Sequence, residues 1–304
     1  QKDAVKDAAG SVSTDSAIAD AAQAQGNSLS LEEQEALKAQ AESTLGSDDP
    51  INLFAQAYLE ITATGVETGE DDSITSITLD ITPMVQVVAS TASSAKDIAE
   101  GNSVVVKEAE TLSVVTEVEI SVELPGSFAE APAYVKHQAD SSRTYFYKAV
   151  YDSLTGKHTF TTPHGFSPFT FSLTNGAAAQ VGEVGYASLQ EAVDAVSNEG
   201  TITLTNDNNE TIEVRKDITF TLDEGDYAFN GTISAGSRYE MTVTKNDDGT
   251  TTYAFARISD DSSDDDDEPV KGSLIAVTST SHGTVRVNPG RAEKGETVTI
   301  TAVP

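Results

Sequence analysis

From Ile51 onward, apolar side chains recur at every second position rather than every third or fourth. The run Leu112–Leu124 is the clearest case, with valine, isoleucine and leucine alternating with glutamate, serine and threonine. A period of two sends alternate side chains to opposite faces of an extended chain. Such a segment reads as an antiparallel strand with one face buried and the other in water. Composition points the same way. The 304 residues include 36 threonines, whose branched, stiff side chains favour a half-exposed strand over a helix. The expected fold class is therefore mainly β.

The periodicity divides the chain into segments. Residues 1–49 are rich in alanine and glutamine and form a helical or linker segment. Its best-signalled helix opens at Ser30, with Glu33 three residues later as a capping box. It carries a thin apolar stripe of Leu31, Ala36, Leu37, Ala41 and Leu45, and Gly46 and Pro50 stop it. A second helical fragment is expected over Asp3–Gly10. Residues 50–175 contain strands around Tyr58–Ala63, at Ile74–Ile81, at Val85–Val88 beyond Pro83, and at Val104–Val106. Further strands are expected at Leu112–Leu124, Tyr134–His137, Tyr145–Val150, Thr159–Thr161 and Phe169–Leu173. About seven to nine short strands in such a length argue a β-sandwich of immunoglobulin-like (Ig-like) form.

Residues 179–258 form a helix-capped β-rich unit. Ser188 caps a short helix with Leu189, Ala192, Val193 and Val196 on one face. Strands follow at Thr201–Leu204, Glu210–Val214, Ile218–Leu222 and Tyr227–Phe229, and a hairpin turns at Asn246–Gly249. Residues 259–270 are an acidic linker extended by its own repulsion. Residues 271–304 begin a small β repeat. The chain opens on Gln1 and stops at Pro304 within a strand pattern, which reads as a segment of a longer protein.

Charge restricts the partners. There are 49 acidic and 18 basic side chains, giving a net charge of −31, and the excess is spread over every segment. A surface of this sign repels phosphate, so nucleic acid is excluded as a partner. The absence of cysteine removes disulfides, thiolate metal sites and cysteine nucleophiles together. No apolar run approaches the roughly 18 residues of a membrane span.

The residue types that carry chemistry do not fall into catalytic patterns. His158 and His164 are separated by six positions interrupted by Pro163, too far along a strand to share a metal. His137 lies in a strand and His282 in a turn. Ser167 precedes Pro168 and lacks the glycine elbow of a serine nucleophile. Phe160, Phe166, Phe169 and Phe171 read as core. A sugar-stacking surface without tryptophan would have to come from Tyr145, Tyr147, Tyr151 or Tyr253. Acidic or amide runs at Glu70–Asp72, Asn206–Asn209 and Asp264–Asp267 suit a structural calcium ion. None of them forms the Asp-x-Asp-x-Asp-Gly loop with its distant Glu, so no metal ligands are assigned. Lys136, Lys148 and Asn102 are the residues available for a lysine–asparagine crosslink. No catalytic or cofactor-binding residue is assigned, and no cofactor is expected.

Three stretches resemble modules of large surface proteins of Gram-positive gut bacteria. The first runs from Tyr134 through Tyr145–Tyr147 and Thr159–Thr162 to Gly165-Phe166-Ser167-Pro168-Phe169, and resembles the close of a β-rich surface module. The second, Val184–Val193 with Gly200–Leu204, resembles the opening coil of pectate-lyase-like right-handed β-helices. It is too short to build their catalytic groove. The third, His282–Val285 through Gly295–Ile300, is similar to the bacterial repeat of internalin-type stalks, cut short. The resemblance implies an extracellular, cell-wall or cell-surface location. It also implies a non-enzymatic stalk or adhesive role, with a host or environmental glycan or protein as ligand and neighbouring modules of the same chain as partners. The alternative is an accessory glycan-binding region of a larger secreted carbohydrate-active enzyme.

Overall fold

The computed structural model describes residues 2–46, 49–99, 101–114, 116–128, 131–258, 273–275, 284–288 and 291–303. The fold is mainly β. The chain divides into two compact units, residues 1–174 and 175–304. The acidic linker over Ser259–Glu268, the run Asp264–Asp267 and His282 lie outside the described residues.

The first unit opens with α1 (Lys2–Ser11), the two-residue strand β1 (Ser13–Thr14), α2 (Ala17–Asn27) and α3 (Leu31–Leu45). At the start of α3 the Glu33 backbone N–H donates to Ser30 Oγ at 3.2 Å, and the Ser30 N–H donates to Glu33 Oε2 at 2.8 Å. Two backbone donors that a helix start leaves unpaired are thus satisfied reciprocally. Gly46 closes the helix in the left-handed conformation at φ 58°. Leu37, Ala41 and Leu45, each four residues apart, pack with Leu29 on Ile51, Val87, Ala89 and Val106. Leu31 is 77% exposed, so the stripe begins a turn later than its spacing suggests.

Eight strands follow: β2 (Asn52–Thr68), β3 (Ile74–Ser90), β4 (Ser103–Thr111), β5 (Val118–Val122), β6 (Ala133–Gln138), β7 (Thr144–Asp152), β8 (Lys157–Thr162) and β9 (Pro168–Ser172). β2 and β3 form one hairpin of 17-residue strands around a turn at 69–73. Two strands parted by Pro83 are expected from the sequence, but β3 runs through the proline, and its geometry explains why. Leu112 donates its N–H to the Pro83 carbonyl at 2.8 Å, so that side of Pro83 points away from β2. There β9 pairs with residues 76–80 and β4 with residues 84–90. The missing proline donor falls in the break between these two neighbours, where no ladder bond is lost.

From β9 the ladder continues to β6 and then to residues 144–149 of β7. Residues 150–152 of β7 instead pair with β8, which pairs with β5, and β5 with β1. A single strand therefore serves two ladders. Phe160 on β8 meets Phe169 and Phe171 on β9 edge-on, with ring centres 5.5 and 5.8 Å away. Among the described residues of the expected strand over Leu112–Leu124, Val118–Val122 form strand, with Val118, Ile120 and Val122 buried.

In the second unit β10 (Ala179–Val181) and β11 (Val184–Tyr186) form a hairpin leading into α4 (Leu189–Ala195). β12 (Gly200–Leu204), β13 (Thr211–Val214), β14 (Ile218–Asp223) and β15 (Thr232–Ala235) then repeat in two turns of a coil. β14 stacks parallel on β12, with Ile202 opposite Leu222, and β15 stacks parallel on β13, with Ile212 opposite Ile233. Buried aliphatic residues thus lie above one another in successive turns. The expected strand at Tyr227–Phe229 is only a single bridge, Asn208 with Phe229, and the next strand is β15. β16 (Tyr239–Lys245) and β17 (Thr251–Arg257) form the hairpin around Asn246–Gly249, and β17 runs antiparallel to β14. The two-residue strands β18 (Ser273–Leu274) and β20 (Arg291–Ala292) pair with each other. β19 (Thr284–Asn288) joins β16 on one side and β21 (Thr299–Val303) on the other.

Candidate functional site

The histidines separated in sequence are drawn together in the first unit. His137 on β6 is fully buried, with its ring stacked on Phe169 at 4.4 Å. Its Nδ1 lies 3.4 Å from the Tyr147 hydroxyl, and that oxygen lies 2.9 Å from Nδ1 of His164. Thr162 donates its hydroxyl to the same Tyr147 oxygen at 3.2 Å. His164 stacks on Tyr145 with ring centres 3.6 Å apart. The cluster arises because β6, β7 and the end of β8 carry these residues on facing positions.

Burial, and then the neighbouring His164, hold the His137 pKa down to about 4, so the ring is neutral near pH 7. His164 is also lowered, first by burial and then by the Arg143 charge. Nε2 of His137 is buried without a hydrogen-bond partner. A neutral imidazole sealed between aromatic rings acts as a packing and hydrogen-bonding element of the core. His158 does a related job: its Nε2–H donates to the Ala131 carbonyl at 2.8 Å, and burial lowers its pKa.

The remaining sequence candidates have local tasks. Ser167 Oγ donates to the Gln138 carbonyl at 2.6 Å. Phe160, Phe169 and Phe171 are core, and Phe166 meets Phe169 at 6.4 Å. Tyr147 and Tyr253 are buried, the latter stacked on Phe220, while Tyr151 lies 5.2 Å from His158. Several of the described acids and amides offered for calcium are engaged in hydrogen bonds, one within a turn and others across the fold. Asp71 Oδ1 accepts from Ser73 N and Oγ, Asp207 accepts from Ala228 N, and Asn206 donates to the Ala177 carbonyl. Among the described residues, no three or more His, Asp or Glu side chains are grouped to hold a metal. Lys136 and Lys148 are exposed on β6 and β7, and Asn102 is exposed before β4. Crosslinking needs an amine held beside a buried carboxylate, and neither lysine is buried.

A concave site appears where the residues carry no chemical signal. α2 meets β2 at Gly26, whose Cβ, if present, would stand 2.8 Å from the Ala55 Cβ. This close approach opens a groove of about 420 Å³ beside it, walled by α2, the start of α3 and β2. Gln23 and Asn27, one helical turn apart on α2, line it with Gln34, and Leu29, Leu53 and Val87 supply apolar wall. Gln34 donates Nε2–H to the Leu29 carbonyl at 2.9 Å, which fixes the amide and leaves its Oε1 as an acceptor. None of the described residues lining the groove is charged. The charges lie across the Gly26–Ala55 contact, where Gln25 and Lys107 both reach Glu110, at 2.6 and 2.8 Å. The only sequence signal for these residues is the amide spacing on an alanine-rich segment, which carries no motif.

No protein-family model, curated protein or solved structure matches this chain. No helix among the described residues is long and apolar enough to cross a membrane.

Proposed function

We propose that this chain is a non-enzymatic extracellular segment of a bacterial cell-surface protein, serving as a stalk and adhesive module. The observation that carries the reading is serial construction: two compact β-rich units in one chain, each with a thiol-free core, under a strongly acidic surface. In this reading the first unit is an Ig-like sandwich whose ladders are joined by β7. The second is a helix-capped β-helix-like start closed by a hairpin, followed by the beginning of an internalin-type repeat. Cores of this kind rely on packing rather than disulfides, and a dispersed like charge keeps the surface solvated.

A second reading, an accessory glycan-binding region of a larger secreted carbohydrate-active enzyme, is favoured by the amide-lined groove. Fractionation of the producing bacterium tests the first. The full-length product is expected in the cell-wall fraction, and recovery from the cytoplasm alone would overturn it. A hydrolase or lyase domain in the same reading frame would select the second.

A further inference from the structure

We propose that the groove between α2, α3 and β2 binds a neutral oligosaccharide. The proposal rests on the adhesive reading and gives that reading a ligand class and a place. Three properties of the groove converge on it.

Its size falls within the range of built small-molecule sites. A volume of about 420 Å³ compares with the ~300–1,000 Å³ typical of ligand pockets.

Its polar groups are of one kind. Gln23, Asn27 and Gln34 are carboxamides, each offering an acceptor oxygen and donor N–H groups. A carboxamide can donate to one hydroxyl and accept from its neighbour, which suits adjacent hydroxyls on a sugar ring. Gln34 is already fixed by its bond to Leu29, and Gln23 and Asn27 sit on one helix face. Leu29, Leu53 and Val87 supply the apolar surface that packs on the C–H groups of a sugar and excludes water beside them.

Charge selects among ligands. The lining described is uncharged, so a cationic ligand meets no carboxylate there and an anionic one meets no basic group. The net charge of −31 further disfavours sialylated, sulfated or phosphorylated ligands. A hydrocarbon ligand would offer these amides neither donor nor acceptor. A neutral, hydroxyl-rich ligand satisfies all of these constraints.

The test is titration of the whole 304-residue chain with neutral di- to tetrasaccharides of gluco, galacto, manno and xylo configuration, with sialylated and sulfated oligosaccharides alongside. Ligand-observed NMR at millimolar concentration reads binding. At least one neutral oligosaccharide is expected to bind, and the anionic set to bind more weakly. Gln23→Ala and Asn27→Ala should each weaken it about tenfold with little change in melting temperature. Gln23→Glu, which keeps the side-chain shape but removes the amide donor, guards against a folding defect and should weaken it as well. Absence of binding across the neutral panel would overturn the proposal. So would binding that none of these substitutions alters, although a ligand held elsewhere leaves the adhesive reading standing. A cytoplasmic location would remove the adhesive reading without touching the groove, whose affinity is measured separately.

Discussion

Glu210 accepts the backbone N–H of Leu189 at 2.8 Å, so a carboxylate 21 positions later in the chain caps the first turn of α4. The same carboxylate accepts from Gln190 N at 3.4 Å and from Asn208 Nδ2 at 2.8 Å, while Ser188 Oγ takes the Glu191 N–H. The sequence-visible cap at Ser188 is therefore only part of the helix start. The rest arrives with the first turn of the coil. Glu210→Gln removes the negative charge from the positive end of the helix and disturbs a three-donor acceptor. It should lower the stability of the second unit by about 1–2 kcal/mol, measured by urea unfolding. Asp247→Asn, in the exposed hairpin turn, should change it little. Equal effects of the two substitutions would show that the cap is not what stabilises this helix.

The coil also sets a backbone constraint. A Cβ on Gly231 would stand 2.1 Å from the Glu210 carbonyl oxygen and 2.6 Å from the Phe229 ring. The carbonyl belongs to the parallel turn beneath, where Thr232 N donates to that same Glu210 oxygen at 2.9 Å. Neither atom can withdraw without breaking the stacking. Gly231→Ala should cost more than about 2 kcal/mol. Gly10→Ala, in α1 with open space around it, should be neutral or stabilise by up to about 1 kcal/mol through helix propensity. Paired thermal melts read the opposite signs.

Acid sensitivity is expected from the histidine cluster. The folded-state pKa of His137, about 4, lies below the 6.5 of a free imidazole. On acidification the unfolded chain takes up the proton first, so stability present above about pH 6.5 is lost as pH falls toward about 4. His158 and His164 are shifted in the same direction. Carboxylates act lower. Asp140 is held well below the usual range by the Ser142 N–H and the Arg143 guanidinium, so its contribution disappears only under stronger acid. Urea midpoints of the first unit should therefore fall between pH 6.5 and 4. His137→Phe, which keeps a ring against Phe169, should flatten that fall. An unchanged slope in the variant would contradict the assignment.

Much of this architecture was legible because it depends on period and turns. The alternation Val118-Glu119-Ile120 gave a half-buried strand, and Asn246–Gly249 gave a hairpin. What escaped depends on tertiary partners. α2 has only Ile18 and Ala22 buried, so it shows no stripe and rests on alanine propensity plus the Gly26–Ala55 contact. β3 reads as broken at Pro83 because the break between β9 and β4 that accommodates the proline lies far away in sequence. Likewise His137 and His164 meet only through Tyr147, and the groove residues are ordinary amides that gain meaning from the helix–hairpin contact.

Exposure of Lys136 and Lys148 makes a chemical prediction. With both amines hydrated on the surface, the purified chain should have the full mass of its sequence, 31.9 kDa. Intact-protein mass spectrometry showing loss of one ammonia would instead require a crosslink that these positions do not prepare.

The same two lysines provide the most direct test of the extracellular reading. Intact cells of the producing bacterium are treated with a membrane-impermeant amine reagent, and modification at Lys136 and Lys148 is quantified by peptide mass spectrometry before and after lysis. The account predicts substantial labelling of both positions on unbroken cells. Labelling that appears only after lysis would contradict it.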